Sequence, residues 1–285
     1  MLSYFQAAIL GILQGISELF PISSLGHSIL LPAVLGWTID QNTNYFLTFL
    51  VATHFATATV LFFLYWSDWM RIISGILRSI RLRSIASDPD AKLGWLLVVG
   101  TVPAGIVGIL FQKQVQELFI SPSYVASFLA LNGLLLYAAE FLRTKAKSGG
   151  SVLVADERVA AEVSWLQATG VGVMQVLALV PGFSRTGSTI AGGLMVGLAH
   201  EDALRFSFLL ATPIIGAAAS LKLPVLFASR NAPVIKAALL GATCAAIASY
   251  FSVKFLTRYF KTRTLTPFAV YCLISGLISM LLLRR

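Results

Sequence analysis

Six apolar runs in this sequence are each long enough to cross about 30 Å of hydrocarbon. They are roughly Tyr45–Trp66, Gly94–Phe111, Val125–Phe141, Phe206–Leu221, Pro233–Phe251 and Phe268–Leu283. Two further apolar stretches are broken in the middle. The first, from about Leu2 to Leu35, is interrupted by S-E-L-F-P-I-S-S-L-G-H at 17–27, and the second, from about Trp165 to Leu198, by P-G-F-S-R-T-G-S at 181–188. Each arm is too short to span comfortably, so each stretch reads as a re-entrant helix–loop–helix that enters and leaves by one face. Irregular backbone at membrane depth is tolerated only where protein or a watery cavity satisfies it.

Composition removes the soluble alternatives. Of 285 residues, 57% are hydrophobic and 12% charged, where a soluble domain carries about 25% charged residues. Such a chain cannot cover its own surface with polar groups, so an integral membrane protein remains. The net charge of +9 is too dispersed for a nucleic-acid partner and points instead to cytoplasmic loops. Cys244 and Cys272 lie in separate apolar runs and read as buried thiols. The N-terminus lacks a basic stretch, and its apolar start soon meets Glu18 and Pro21, unlike a cleaved signal peptide.

The chain carries an internal repeat. Pro21-x-x-Ser24 recurs as Pro181-x-x-Ser184, Gly11-x-x-Gln14 as Gly172-x-x-Gln175, and F-L-V-A-T at 49–53 as F-L-L-A-T at 208–212. Three matches in one order at nearly one offset mark a duplicated half. One hairpin plus three spans per half is odd, so the second half is inverted, and inverted repeats set broken helices against each other near the midplane. The expected fold is therefore all-α and integral to the membrane: six transmembrane helices plus two re-entrant hairpins in an inverted-topology repeat. A single membrane domain, 1–285, divides into a first half, 1–142, a cytoplasmic linker, 143–164, and a second half, 165–285. On this drawing one face receives Arg71, Arg78, Arg81, Arg83, Lys92, Arg143, Lys145, Lys147, Arg158, Arg205, Lys254, Arg258, Lys261 and Arg263. The other receives Lys113, Lys222, Arg230, Lys236, Arg284 and Arg285. The richer face is cytoplasmic and both termini lie outside.

The two interruptions gather the costly residues: Glu18 and His27 in the first, Arg185 in the second. Ionisable groups inside membrane segments cost roughly 2.5–3.5 kcal/mol on insertion scales and mark functional sites by default. If the loop tips meet, Glu18 and Arg185 offset each other's burial. A mere structural ion pair would not need the hydroxyls and glycines around them. The glycines let backbone approach a ligand, a helix is expected from about Ser188, and its N-terminus with the Arg185 fork suits phosphate. Ser23 reads equally as an N-cap or as part of the site. Phosphoryl transfer would take charge stabilisation from Arg185, a serine or water activated by Glu18, and His27 as acid or nucleophile. Gln14 and Glu18 share one helix face and could hold a divalent ion, although Gln14 as intrahelical packing is as good a reading.

At these residues the chain resembles the bacterial undecaprenyl-diphosphate phosphatase family of the bacitracin-resistance type. Gln14, Glu18, Pro21, Ser23, Ser24, Gly26 and His27 match its first signature; Pro181, Gly182, Ser184, Arg185 and Thr189 match its second. Leu25 replaces a frequent threonine, which puts it outside the site, and Thr186 replaces a serine while keeping a hydroxyl. The resemblance implies hydrolysis of undecaprenyl diphosphate to the monophosphate, recycling a lipid carrier for the cell wall. It also implies a plasma-membrane site open to the periplasmic or outer face and help from Mg²⁺ or Ca²⁺. By carry-over Glu18 is base or metal ligand, Arg185 the diphosphate clamp, and His27 acid or orienter. Ser24 is preferred as nucleophile over Ser184 or Ser23. The other common class of membrane lipid phosphatase needs a second histidine shortly after Ser-Arg, where this chain has Ala191. His54 reads as an interhelical hydrogen bond beside Thr53 and Thr57, with a cavity-lining role as the alternative because it lies close to the repeat; His200 reads as a solvated helix start, and Asp68, Asp88, Asp90, Asp156 and Glu157 as solvent charges. Gly193-x-x-x-Gly197 suggests a helix contact within the chain or in a homodimer. The rival function is a transporter or flippase of phosphorylated polyprenyl lipid, which needs the arginine and helix ends but neither base nor acid.

Overall fold

The computed structural model describes residues 2–39, 44–85, 88–111, 114, 121–148, 163–228 and 232–283. Among them the chain forms eleven α-helices and no β-strand: α1 Tyr4–Ser17, α2 Ser24–Val34, α3 Asn44–Leu64, α4 Trp66–Leu82, α5 Pro89–Leu110, α6 Pro122–Ser148, α7 Trp165–Val176, α8 Arg185–Met195, α9 His200–Ala228, α10 Ala232–Tyr259 and α11 Thr266–Leu282. Five of them, α3, α5, α6, α9 and α10, are long and apolar enough to cross a membrane; α11, which carries the sixth apolar run, has 17 residues. Large apolar side chains such as Phe5, Phe63, Ile109, Leu166 and Leu281 stand exposed along the outer faces. Lipid is the medium in which that surface is stable, and the chain is a multi-pass membrane protein.

The broken stretches are helix–turn–helix units, α1 with α2 and α7 with α8, and they match at an offset of 161. Each first helix opens with the same capping box, Ser3 with Gln6 and Ser164 with Gln167. Each second helix is capped by a serine, Ser23 accepting from the Gly26 amide and Ser184 from the Gly187 amide. The prolines misalign by one because the first unit has one more residue before Pro21 and one fewer after it. Ser23 therefore corresponds to Ser184, and Ser24 to Arg185, as first helical residues. The helix expected from about Ser188 begins three residues earlier, at Arg185, because the Ser184 cap stops the turn there.

Glycines set the helix crossings of both helix–turn–helix units alike. α1 crosses α10 where a Cβ on Gly11 would lie 2.3 Å from the Gly241 carbonyl oxygen, and α7 crosses α5 where one on Gly172 would lie 2.4 Å from that of Gly100. Gly172→Ala is expected to cost about 1–3 kcal/mol by forcing two backbones apart. Gly105→Ala, which meets nothing within 4 Å, should cost almost none. Thermal unfolding in detergent separates the two, and equal midpoints would refute the crossing argument.

Several side chains depart from the sequence reading. Asp68 is no solvent charge: it accepts from Arg71 at 2.8 Å and from Arg205 at 2.7 Å, tying the amphipathic helix α4 to α9. Asp88 caps α5 through the amides of Asp90 and Ala91 and pairs with Arg78, and these donors hold its carboxyl below the usual carboxylate range. His200 is buried, with Nε2 2.8 Å from Glu140 Oε2, which also accepts the Leu265 amide. Cys272 is buried as expected while Cys244 is half-exposed, and both thiols are free. Gly193-x-x-x-Gly197 is not a helix stripe. Gly193 packs on Ala203 of the same chain, and Gly197 lies past the end of α8 with φ 101°. Asp156, Glu157 and most of the expected linker lie outside the described residues.

Candidate active site

The two turns meet inside the helical bundle. Asn132 of α6 joins them, donating from Nδ2 to the Pro21 carbonyl at 3.0 Å and accepting the Ser184 amide at 3.1 Å. Ser184 Oγ donates to the Phe20 carbonyl and Thr186 Oγ1 to the Glu18 carbonyl at 2.9 Å. Gly182 has φ 109°, and a Cβ there would fall 2.6 Å from the Val125 carbonyl oxygen, so only glycine lets this turn seat on α6. Ser23 holds φ 70° without being glycine, a strained conformation of the kind that collects at functional sites.

Glu18 stands at the C-terminal end of α1, buried, and its two carboxylate oxygens face different partners. Oε1 accepts from Arg185 Nη2 at 3.2 Å. Oε2 accepts from Ser24 Oγ at 2.5 Å and from Gln14 Nε2 at 3.2 Å, and His54 Nε2 of α3 lies 3.4 Å away. Around them is a cavity of about 330 Å³. Its polar side chains are Ser17, Glu18, Ser24, His54, Gln175, Ser184 and Arg185. Its apolar walls include Leu50, Val51, Ala104, Leu179, Ile214, Ile215 and Ala218. The α2 and α8 N-termini both open on it, so two positive helix ends and a guanidinium face one space.

Arg185 is the informative member. Nη2 is spent on Glu18 and Thr186, while Nε and Nη1 are buried without a protein partner. Buried donors of this kind are costly unless an acceptor reaches them, and an anionic oxygen in the cavity would do so. Gln14 Oε1 is likewise buried without a donor.

The structure thus brings together Gln14, Glu18, Ser24, Ser184 and Arg185 of the residues singled out in the sequence. Ser23 and Gly26 form the α2 cap instead, and Gly26 lets that turn pass close to Gly182. Thr189 is one turn inside α8, bonded to the Arg185 and Thr186 carbonyls and to Ser207 Oγ. His27 is not brought to the carboxylate: Nδ1 lies 2.7 Å from the Ser23 carbonyl oxygen and Nε2 2.8 Å from the Tyr271 hydroxyl. Leu25, expected outside the site, lines the cavity, because the first turn of α2 turns that face inward. His54 makes an interhelical contact and lines the cavity, as the sequence allowed, but Glu18 as its partner and Asn132 as the bridge between turns were not foreseen. A lone buried asparagine in an apolar span was the one signal for the second.

Residues 7–278 match the family described as bacitracin resistance protein BacA. The chain belongs to that family. Among curated relatives it is similar to an undecaprenyl-diphosphatase of Mycolicibacterium paratuberculosis, 43% identical over 96% of this chain and 95% of the relative. It is also similar to undecaprenyl-diphosphatase 2 of Frankia alni, 40% identical over 96% of both chains. A third, undecaprenyl-diphosphatase 2 of Chromobacterium violaceum, is 42% identical over 97% of both. These alignments run nearly end to end, so they take in both turns.

Proposed function

We propose that this chain hydrolyses undecaprenyl diphosphate to undecaprenyl phosphate and inorganic phosphate, recycling the lipid carrier for the cell wall, the activity that underlies bacitracin resistance. The observation that carries the reading is the pairing of Glu18 with both Ser24 and Arg185 beside two partnerless guanidinium nitrogens. The apolar walls suit a prenyl tail, and the positive helix ends suit its diphosphate.

In this reading Ser24 Oγ attacks the terminal phosphorus while its proton passes to Glu18 Oε2. The bond to the bridging oxygen breaks, and undecaprenyl phosphate leaves with that oxygen. Glu18 gives up its proton to the departing lipid phosphate; water then attacks the phosphoserine, one of its protons goes to the released Ser24 oxygen, and inorganic phosphate departs with the other. Arg185 and the helix N-termini stabilise the charge on the non-bridging oxygens. Ser23 and Ser184 are weaker nucleophile candidates because their hydroxyls serve as helix caps.

Gln14 Oε1 and the Glu18 carboxylate are hard oxygen donors on one helix face and fit a Mg²⁺ or Ca²⁺ ion. Among the described residues no three His, Cys, Asp or Glu gather for a metal, so most ligands would come from the diphosphate and water. Bound there, the cation would neutralise diphosphate charge.

The same reading carries a topology in the plasma membrane. α3, α5, α6, α9, α10 and α11 span; 17 residues at about 1.5 Å each carry α11 across about 26 Å. The α1–α2 and α7–α8 units are re-entrant, the second half is inverted, and the site opens to the outer face with both termini outside.

Phosphate release from a C55 prenyl diphosphate by the purified chain in detergent, with and without Mg²⁺ or Ca²⁺, tests the proposal. Turnover is expected. Arg185-dependent binding of the lipid without turnover would overturn it in favour of a carrier of phosphorylated lipid.

A further inference from the structure

His54 lies outside both motif-bearing turns, on α3, yet its ring reaches the carboxylate at the centre of the site. Its Nδ1 is 2.8 Å from the Leu50 carbonyl oxygen, one helical turn back. A carbonyl oxygen only accepts, so Nδ1 carries hydrogen and the contact fixes the ring plane. That plane aims Nε2 at Glu18 Oε2, 3.4 Å away, while the ring edge lines the cavity. A bare nitrogen lone pair would repel a carboxylate oxygen, so an attractive contact requires hydrogen on Nε2 as well.

We propose that His54 is a positioning residue for the phosphatase reaction: a clamp on α3 that holds Glu18 Oε2 turned toward Ser24 while Arg185 holds Oε1. The assignment rests on the reading of Glu18 as the group that activates Ser24. Glu18 is the C-terminal cap residue of α1, and its Oε2 is otherwise held only by Gln14 and Ser24 of its own helix–turn–helix unit. Gln14 comes from the same helix and Ser24 from the adjoining turn, so neither ties the carboxylate to a span. His54 supplies that tie from a helix packed on α9 and α10. With Arg185 it engages both oxygens of one carboxylate, leaving the Arg185 Nε and Nη1 donors for a diphosphate.

The test is steady-state kinetics on the C55 prenyl diphosphate with the full chain in detergent, comparing His54→Phe, His54→Ala and His54→Gln. Losing an orienting partner of this sort typically costs about 10–100-fold in activity. We expect that loss in kcat for Phe and Ala, with KM within about threefold, because Glu18 acts on Ser24 and not on substrate binding. His54→Gln, whose amide N–H reaches nearly the same point, should recover most of the lost kcat. Phe conserves ring volume, so a fold defect confined to Ala leaves the Phe and Gln results decisive.

Full kcat in both Phe and Ala variants would overturn the assignment. A rise in KM with kcat intact would overturn it too, making His54 a direct substrate contact. A Gln variant as impaired as Phe would do the same, since chemistry peculiar to the imidazole would then be required. Absence of turnover in the wild type is a different result, which refutes the phosphatase reading itself.

Discussion

Arg185→Ala is expected to lower kcat/KM on the prenyl diphosphate by about 10³- to 10⁵-fold, the range seen when a charge-stabilising arginine is withdrawn from phosphoryl transfer. Nη2 already serves Glu18 and Thr186, so Nε and Nη1, on different edges of the guanidinium, are the buried donors left for separate oxygens of the diphosphate. Arg185→Lys should recover little of the loss, because an ammonium cannot bridge the carboxylate and two phosphate oxygens together. Removing one partner of a buried pair also costs roughly 3–5 kcal/mol of stability. The lysine variant, which keeps the charge, therefore separates chemistry from folding. Lysine activity within tenfold of wild type would reduce Arg185 to a point charge and refute a role for its directed N–H donors.

Ser24→Ala and Glu18→Gln should each lower kcat by about three orders of magnitude or more, and the double variant should be little worse than either single one. Residues that act as a unit are grossly non-additive in this way. The short Ser24–Glu18 contact, 2.5 Å, is the physical reason to expect a unit. Ser23→Ala should behave differently: loss of a helix cap costs about 1 kcal/mol of stability with most of the turnover kept. Rapid quench of the wild type should trap phosphate on Ser24. A Ser24→Ala variant that keeps more than about a tenth of the turnover, with no phosphoserine in the wild type, would make a Glu18-activated water the nucleophile.

Glu18, Ser24 and Arg185 were legible in the sequence because charge and hydroxyls are expensive in an apolar run, and here they are concentrated at two breaks. The repeat pattern pointed to the two breaks meeting, and in the structure Asn132 and the Thr186–Glu18 bond join them. It misjudged the register by one. Prolines carried the alignment, whereas the serine caps carry the geometry, so Ser24 corresponds to Arg185 and not to Ser184. Gly11 and Gly172 were visible as a repeat, but their purpose, backbone contact with Gly241 and Gly100, was not.

What escaped the sequence depends on partners far along the chain. His54 is one histidine among threonines until the rotation of α3 aims it at a carboxylate 36 positions earlier. His200 looked solvated beside Glu201 and Asp202, but its partner is Glu140 on another helix. His27 looked like an acid until Ser23 and Tyr271 took both ring nitrogens. By itself the sequence determined the solvent, the helical class and the residues too costly to be idle, because burial of polar groups in lipid is a local energy. Which of those residues touch was decided only by the tertiary structure, because contact depends on helix rotation and crossing, which are set by packing between segments far apart in the chain.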